Sequence, residues 1–278
     1  HERSRAIARY AFDHGVTHFD LANNYGPPYG SAEETLGRLM DADFRPYRDE
    51  LFISTKAGYD MWPGPYGNWG SRKYLMASLD QSLRRMRLDY VDLFYSHRYD
   101  PETPLEETLQ ALVDIVRSGK ALYIGISRWP LEALRVAIPY LRERDVPLLI
   151  YQGRLNLIDR SPVDDGILEE CEREGVGFIS FSPLAQGLLT DRYLNGIPED
   201  SRMSRGKFLR PDMLTPDLLS RLRQWNVLAQ GRGETLAEMA LAWILNHHGV
   251  TSVLVGASST EQLQKNLRCI HAAPVDCD

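Results

Sequence analysis

The sequence has few cysteines, no long apolar run and no excess of basic residues, and each shortage excludes a class of protein. Its 278 residues include three cysteines, too few and too odd in number for a disulfide framework. No CxxC pair or Cys/His cluster suggests zinc. The longest apolar runs, such as PLLIY and TSVLVG, are far shorter than the ~20 residues of a membrane helix. Acidic residues outnumber basic ones 38 to 32, for a formal charge of −6, which gives no general attraction to nucleic acid or anionic lipid.

Two common nucleotide-binding signatures are also missing. No G-x-G-x-x-G fingerprint of the dinucleotide-binding open sheet occurs anywhere in the chain. The tripeptide SGK at 118–120 lacks the upstream glycine and the following hydroxyl residue of a P-loop. No signal peptide is visible. We therefore expect a cytoplasmic enzyme that has neither nucleic acid nor a membrane as partner.

Short β-branched or apolar runs alternate along the chain with amphipathic helical stretches. At 43% hydrophobic and 25% charged residues, the chain can bury a substantial core. Alternation of strands and helices with short connections predicts an α/β protein with a parallel sheet. The predicted strands are 17–22, 51–56, 90–97, 122–127, 148–153, 177–182 and 252–257.

Two α/β architectures compete, the open doubly wound sheet and the closed (β/α)8 TIM barrel. The missing glycine fingerprint and the seven sequential units favour the barrel, which typically has about 250 residues. We expect residues 1–278 to form a single barrel domain. Because a helical pattern precedes the first predicted strand, we also expect the first strand of the barrel to be missing from this sequence. The Arg-, Pro- and Gly-rich segment 190–216 is predicted to be an extended loop that could act as a lid.

The carboxyl ends of barrel strands carry the active site, and four residues there can form a proton-transfer group. Asp20 lies near the end of the first predicted strand, and Tyr25 follows in the loop; Lys56 ends the second strand and His97 ends the third. A nearby ammonium favours the phenolate form of a tyrosine. A carboxylate can hold that ammonium, and a histidine can orient a substrate carbonyl. A lysine that ends an apolar strand also needs a partner if it is buried.

Each of these residues has an ordinary interpretation as well, because polar side chains are common at strand ends. Asp20 and His97 could also be metal ligands of a barrel hydrolase. The remaining strand ends offer Ser127, Gln152 and Ser182 rather than further acids or histidines. These neutral groups are better suited to hydrogen bonding an amide or a phosphate than to holding a divalent cation.

The last two strands are followed by SFSPLAQGLLT and VGASSTEQ, which supply small residues and free backbone N–H groups. We expect a helix to begin at Ser258 and its neighbours, and a helix N-terminus is a natural anion site. Phe181 could stack on an aromatic ring or belong to the core. Four basic side chains could add positive charge or simply lie on the solvated surface: Arg192, Arg202, Arg205 and Lys265.

The loop at 59–69, YDMWPGPYGNW, concentrates aromatic residues after the Lys56 strand. Trp62, Tyr66 and Trp69 could form the wall of a substrate pocket or stabilise a surface loop by packing on each other. Arg72 and Arg98 are candidates for binding a substrate phosphate through charge-assisted hydrogen bonds.

Several longer stretches together resemble the aldo-keto reductase family. They are GVTHFDLANNYGPPYGSAEETLG at 15–37, STKAG at 54–58, LRRMRLDYVDLFYSHRYDPETPLEET at 83–108 and GASSTEQL at 256–263. The likeness extends from Ser4 to about Ala273. Within the family, segments 54–75 and 183–203 are similar to the branch that includes potassium-channel beta subunits and bacterial reductases of L-glyceraldehyde 3-phosphate.

The resemblance implies a barrel that binds NADPH across its strand ends and reduces small aldehydes or ketones, such as L-glyceraldehyde 3-phosphate or methylglyoxal. It implies that Asp20, Tyr25, Lys56 and His97 are catalytic, with Tyr25 as the general acid, and it implies no metal. Trp62 and Arg98 are the candidate substrate residues. The implied cofactor-binding residues are Asp20, Ser127, Arg128, Gln152, Phe181, Ser182, Pro183, Leu184, Gln186, Gly187, Arg202, Gly256, Ser258, Gln262 and Asn266.

The alternative function is a redox-sensing regulatory subunit that binds NADPH and a channel but turns over slowly. Channel-type beta subunits have Asn where this sequence has His97, and this difference favours an active reductase. The resemblance also implies a homo-oligomer.

Overall fold

The computed structural model describes residues 2–198 and 209–275. The chain divides into two compact units, the first formed by His1–Gly153 with Asp165–Phe178 and the second by Arg154–Asp164 with Ile179–Asp278. The expectation of one domain over residues 1–278 stays a prediction.

Strands and helices alternate along the described residues. The strands are β1 (His18–Asp20), β2 (Phe52–Ala57), β3 (Val91–Ser96), β4 (Ala121–Ser127), β5 (Leu148–Arg154), β6 (Gly177–Phe181) and β7 (Val250–Val253). The α-helices are α1 (Glu2–Asp13), α2 (Ser31–Leu39), α3 (Arg72–Met86), α4 (Leu105–Arg117), α5 (Leu131–Arg142), α6 (Ser161–Asp164), α7 (Ile167–Glu174), α8 (Pro216–Gly231), α9 (Leu236–Asn246) and α10 (Thr260–Leu267).

The first unit contains a parallel sheet in which β1 to β5 lie in chain order. All six residues of β3 are buried, as expected of a strand covered on both faces in a parallel sheet. The apolar stripe of α3, from Leu75 to Met86, is buried against this unit. Helix α3 begins after Ser71, whose side chain accepts a hydrogen bond from the Tyr74 N–H.

The sheet of the first unit is strongly curved. Gln152 on β5 donates to the Asp20 carboxylate on β1 at 3.4 Å, although three strands separate β1 from β5. Gly125 on β4 helps to make room inside this curve, because a Cβ there would lie 2.5 Å from the Tyr95 ring. The curvature brings side chains from several strands to one place.

The second unit contains the end of β6, strand β7 and helices α8 to α10. The Leu254 N–H donates to the Ser180 carbonyl at 2.8 Å, which joins the two strand ends. Two apolar clusters stabilise this unit. One contains Leu188, Tyr193 and Leu209, and the other contains Leu241, Ala242 and Cys269.

Two predicted boundaries near the end of the chain are wrong. Strand β7 spans Val250–Val253 and does not reach residue 257, because the residues after Leu254 run as loop. Helix α10 begins at Thr260, with Ser259 as the N-cap, so Ser258 lies before the helix. In the predicted loop 190–216, the described ends form short 3-10 turns that include the buried Tyr193, while 199–208 lie outside the described residues.

Candidate active site

Four side chains from the ends of β1 to β3 and the loop after β1 lie together in the first unit, as the sequence predicts. Asp20 and Ser54 are register partners on β1 and β2, and Lys56 lies two residues further along β2 on the same face. The Lys56 ammonium lies 2.5 Å from Asp20 Oδ2 and 2.7 Å from the Leu21 carbonyl. The predicted pairing of Lys56 with Asp20 is therefore present in the structure.

The Lys56 side chain is fully buried, so its charge depends on its partners. Burial, the largest influence, acts to lower the pKa of Lys56. The Asp20 carboxylate and the Tyr25 hydroxyl outweigh it, so that the pKa of Lys56 is raised above its ordinary value. Lys56 therefore stays an ammonium at neutral pH and presents a fixed positive charge to its neighbours.

The Tyr25 hydroxyl lies within reach of that charge. It accepts from Lys56 Nζ at 3.4 Å, and the ammonium also lies 5.0 Å from the centre of the Tyr25 ring. Tyr25 is 39% exposed, whereas Lys56 behind it is fully buried. A molecule from solvent can therefore contact the tyrosine while the lysine stays covered.

His97 lies on the other side of Tyr25, with ring centres 6.0 Å apart in an edge-on arrangement. The Tyr59 ring is 4.7 Å away. His97 Nδ1 is buried without a hydrogen-bond partner among the described residues. Burial lowers the pKa of His97 well below its ordinary value, and the positive charges of Lys56, Arg128 and Arg98 lower it further. The imidazole is therefore neutral at physiological pH.

This neutral histidine predicts a loss of stability on acidification. Below the ordinary histidine pKa of about 6.5, residue 97 binds a proton in the unfolded chain but stays neutral in the folded chain. The free energy of unfolding should therefore fall as the pH is lowered from about 6.5, by up to about 1.4 kcal/mol per pH unit from this group. Urea unfolding of wild type and His97→Asn between pH 7 and pH 5 measures this dependence. We expect the free energy of unfolding to change less steeply with pH in the variant. Equal slopes would contradict the assignment of a neutral His97.

A glycine allows the ends of β2 and β3 to approach each other beside His97. A Cβ on Gly58 would lie 2.9 Å from His97 Cβ and 3.1 Å from the Arg98 nitrogen. The backbone bond from the His97 N–H to the Ala57 carbonyl, at 2.9 Å, continues the strand pairing to this point. Gly58 thus places the histidine next to the strand that carries Lys56.

Arg98 is held tightly by the loop that follows β2. Its guanidinium donates to the Gly58 carbonyl and to Asn68 Oδ1, both at 2.7 Å. It also stacks on Trp69 at 3.6 Å and on Tyr59 at 4.3 Å. Arg98 therefore fixes the shape of this loop and keeps part of its guanidinium for another partner.

A cleft of about 560 Å³ lies in the same loop. Trp62 and Trp69 line it, as predicted, whereas Tyr66 is exposed beneath the Lys73 ammonium and is not part of the lining. The lining residues are Tyr29, Asp60, Met61, Trp62, Pro63, Gly64, Pro65, Asn68 and Trp69. The other candidate, Arg72, forms an ion pair with Asp114 on α4.

Three predicted cofactor residues of the first unit lie at the ends of β4 and β5. Ser127 and Gln152 are register partners and both are buried. Arg128 has a positive φ of 58°, is exposed, and donates to the Tyr59 hydroxyl at 2.9 Å. This places an arginine beside the ring that contacts His97.

The predicted cofactor residues of the second unit fall into two groups. The first follows β6, where Ser182, Gln186 and Gly187 have φ values of 51°, 60° and 103°. Pro183 is buried, and Leu184 packs on the cluster around Leu241. Phe181 is half-buried, with the Arg154 guanidinium 5.6 Å from its ring centre. Arg202 lies outside the described residues.

The second group lies on α10 and the loop before it. Ser258 donates to Gln262 Oε1 from its backbone N–H at 2.8 Å and from its hydroxyl at 3.0 Å. Asn266 is buried, and its Nδ2 has no partner among the described residues. A Cβ on Gly256 would meet no atom within 4 Å. Ser258 and Gln262 therefore bond to each other at the start of α10, whereas the unpartnered amide of Asn266 lies near the end of this helix.

Sequence reasoning missed two residues that contact the Asp20 carboxylate network. Ser54 donates to Asp20 Oδ1 at 2.6 Å, and His18 Nε2 lies 2.9 Å from the Ser54 hydroxyl. Strand periodicity contains the signal, because His18 precedes Asp20 by two residues and Ser54 precedes Lys56 by two. Glu33 was also missed, a buried acid that accepts from Arg85 at 2.7 Å and from Thr55 at 2.5 Å.

Within residues 2–198 and 209–275, no group of three or more His, Cys, Asp or Glu side chains is placed to hold a metal ion. Within the same ranges, no helix combines the length and the apolar character needed to cross a membrane.

Comparison with known proteins decides the family. The profile described as the Aldo/keto reductase family matches residues 1–277. The chain belongs to the aldo/keto reductase family. This membership makes it an oxidoreductase of a family that uses nicotinamide cofactors and acts on small carbonyl compounds.

Individual members of the aldo/keto reductase family agree with the predicted branch. The chain is 59% identical over 274 residues to L-glyceraldehyde 3-phosphate reductase of Escherichia coli K12, spanning 97% of this chain and 79% of that protein. It is 34% identical over 281 residues to a probable voltage-gated potassium channel subunit beta of Arabidopsis thaliana, spanning 99% and 84%. A solved thermostable aldo-keto reductase in complex with the inhibitor epalrestat superposes with a TM-score of 0.76 at 29% identity, over 99% of this chain and 84% of that one.

The predicted fold class is confirmed by these relatives and by the parallel sheet. The chain has the fold class of the (β/α)8 barrel of aldo/keto reductases. The roles of the individual residues, the cytoplasmic location and the homo-oligomer stay predictions.

Proposed function

We propose that this aldo/keto reductase reduces small aldehydes or ketones to alcohols with NADPH, and that Tyr25 supplies the proton. The observation that carries the proposal is the contact of the half-exposed Tyr25 hydroxyl with the buried Lys56 ammonium at 3.4 Å. The balanced reaction converts RCHO, NADPH and a proton to RCH2OH and NADP⁺. The bound nicotinamide supplies the hydride, and the protein supplies orientation and the proton.

The proton step uses charges that are already in place. As Tyr25 gives up its proton to the developing alkoxide, its oxygen becomes negative 3.4 Å from Lys56 Nζ. The ammonium stabilises that charge with little reorganisation, because Asp20 and the Leu21 carbonyl already hold it. The low polarity around the fully buried Lys56 strengthens the interaction.

His97 is proposed to orient the substrate. The neutral imidazole retains one N–H, which can donate to the carbonyl oxygen and polarise it without adding a positive charge. Two donors, Tyr25 and His97, would then hold one oxygen atom in line for the transfer.

The residues present fit an anionic dinucleotide in their chemistry. Ser258 and Gln262 lie at the N-terminus of α10, which favours a phosphate group, and Asn266, near the other end of this helix, offers a buried amide without a partner among the described residues. We propose that Gly256, Ser258, Gln262 and Asn266 hold the adenosine 2′-phosphate end and account for NADPH as the cofactor. Ser182, Pro183, Leu184, Gln186 and Gly187 with Arg202 are proposed for the pyrophosphate, and Ser127, Arg128, Gln152 and Phe181 for the nicotinamide end.

Steady-state kinetics over a panel of carbonyl compounds with NADPH and with NADH tests this proposal. We expect turnover of small aldehydes with a preference for NADPH. A panel that gives no turnover with either cofactor would contradict it.

The relative's substrate suggests a phosphorylated aldehyde, and Arg98 is the proposed phosphate contact beside Trp62 and Trp69. Replacing Arg98 with Ala should raise KM for L-glyceraldehyde 3-phosphate about tenfold to a hundredfold more than KM for glyceraldehyde. The reason is that a charge-assisted hydrogen bond is worth about 1.5–3 kcal/mol.

Arg72→Ala is the matched control for this prediction, because Arg72 pairs with Asp114 instead. It should leave the ratio of the two KM values unchanged. If Arg98→Ala raises both KM values by the same factor, Arg98 only supports the loop and does not recognise the phosphate.

A further inference from the structure

A chain of hydrogen bonds extends from the catalytic group into the sheet on the side away from Tyr25. His18 and Asp20 lie on one face of β1, and Ser54 and Lys56 lie on the same face of β2, where Ser54 is the register partner of Asp20. His18 Nε2 is 2.9 Å from Ser54 Oγ, and Ser54 Oγ is 2.6 Å from Asp20 Oδ1. The other oxygen of Asp20 receives Lys56 at 2.5 Å.

The number of available protons determines which atom donates in each of these hydrogen bonds. The Asp20 carboxylate that pairs with the Lys56 ammonium can only accept hydrogen bonds. Ser54 has one hydroxyl proton, and its short bond to Asp20 Oδ1 uses it. The Ser54 oxygen must therefore accept from His18, and this requires a proton on His18 Nε2.

The environment of His18 determines its charge. Burial is the largest influence and lowers the pKa of His18; the Lys56 charge acts in the same direction, while Asp20 and Asp92 oppose them. Asp92 in turn pairs with Arg48 at 2.9 Å. His18 is thus a neutral imidazole, and its Nε2–H donates along the chain. Its ring also lies edge-on to Phe52 at 4.9 Å, which limits its rotation.

We propose that Ser54 and His18 are positioning residues of the proton-transfer group. The hydroxyl of Ser54 holds one oxygen of Asp20 and withdraws charge from it, so that Lys56 is shared between Asp20 and the Tyr25 oxygen. Without that hydroxyl, Asp20 concentrates its charge on Lys56 and draws the ammonium away from Tyr25. This inference rests on the proposed function of Tyr25 as proton donor.

The test compares Ser54→Ala with wild type in two measurements. In kinetics, kcat should fall about tenfold, as expected for a lost hydrogen bond to a charged group. KM for the aldehyde and Kd for NADPH should change little, and the basic limb of the pH profile should move to higher pH. His18→Gln, which keeps an N–H donor, should lose less activity than His18→Phe. Ser82→Ala is the matched control, because Ser82 is an equally buried serine on α3, and it should keep wild-type kcat.

The second measurement does not depend on turnover. Histidine-ring ¹⁵N NMR of the wild-type protein, with the His18 signal assigned from the His18→Gln variant, should show the neutral Nε2–H tautomer at pH 7. An Nδ1–H tautomer or a charged ring would overturn the inference, as would an unchanged kcat and pH profile in Ser54→Ala. A wild-type protein with the expected tautomer that reduces no carbonyl compound would overturn the proposed function, and with it the catalytic consequence claimed for Ser54.

Discussion

Replacing Tyr25 with Phe should lower kcat for aldehyde reduction by about 10²- to 10⁴-fold, the contribution usual for a positioned general acid. The change removes one hydroxyl and keeps the ring that the Lys56 ammonium contacts at 5.0 Å. The buried Lys56 ammonium loses one contact but keeps Asp20 and the Leu21 carbonyl as partners, and the exposed position of Tyr25 leaves the rest of the site in place. Fluorescence titration should therefore give a wild-type Kd for NADPH.

Tyr29→Phe is the control for this experiment. Tyr29 is an exposed tyrosine that lines the cleft but lies outside the proton-transfer group. Its variant should keep kcat within a few-fold of wild type. A Tyr25→Phe enzyme with the wild-type turnover number would remove Tyr25 from the acid role.

Replacing Asp20 with Asn should lower the free energy of unfolding by about 3–5 kcal/mol, because it leaves the Lys56 charge buried without its carboxylate partner. The Lys56 side chain is 0% exposed and that of Asp20 is 7% exposed. The double variant Asp20→Asn/Lys56→Met should lose clearly less free energy of unfolding than the sum of the losses in the two single variants, because it removes both charges. Chemical denaturation of the four proteins measures this coupling.

An exposed ion pair provides the comparison. Lys120 and Asp80 lie 2.7 Å apart, but their side chains are 37% and 42% exposed. Asp80→Asn should lower the free energy of unfolding by no more than about 1 kcal/mol. Additive costs for Asp20→Asn and Lys56→Met would show that the buried pair does not act as a unit.

The proximity of Asp20, Lys56 and His97 could be predicted from the sequence, because parallel strands end at a common edge and polar residues stand out there; their catalytic role is a proposal. Lys56 lies at the end of an apolar strand, so its need for a partner could be seen in the sequence, and Asp20 lies at the end of the neighbouring strand. His18 and Ser54 could not be singled out in the same way. A histidine and a serine inside a strand are unremarkable until the register shows that they touch.

The loop after β2 shows a second limit of sequence reasoning. Its aromatic content predicted the wall of a substrate pocket. Trp62 and Trp69 line a cleft there, and their contact with substrate stays a prediction; nothing in the sequence separates them from the exposed Tyr66. The two candidate arginines looked equivalent as well. The fold distinguishes them, because Arg72 faces an acid on α4 and Arg98 stacks in the loop.

The boundaries near α10 depended on local competition that sequence patterns do not resolve. Ser258 and Ser259 are both good N-cap residues, and Glu261 and Gln262 both follow at suitable distances. In the structure Ser259 is the N-cap, and Ser258 instead donates a hydrogen bond to the Gln262 side chain.

The most direct test of the central claim is to follow NADPH oxidation by the wild-type protein with L-glyceraldehyde 3-phosphate and to identify the products. The account predicts that NADP⁺ and glycerol 3-phosphate form in equal amounts, and that the reaction is lost in Tyr25→Phe while NADPH binding remains. A wild-type protein that binds NADPH tightly but reduces no carbonyl compound would contradict the account and favour a redox-sensing subunit.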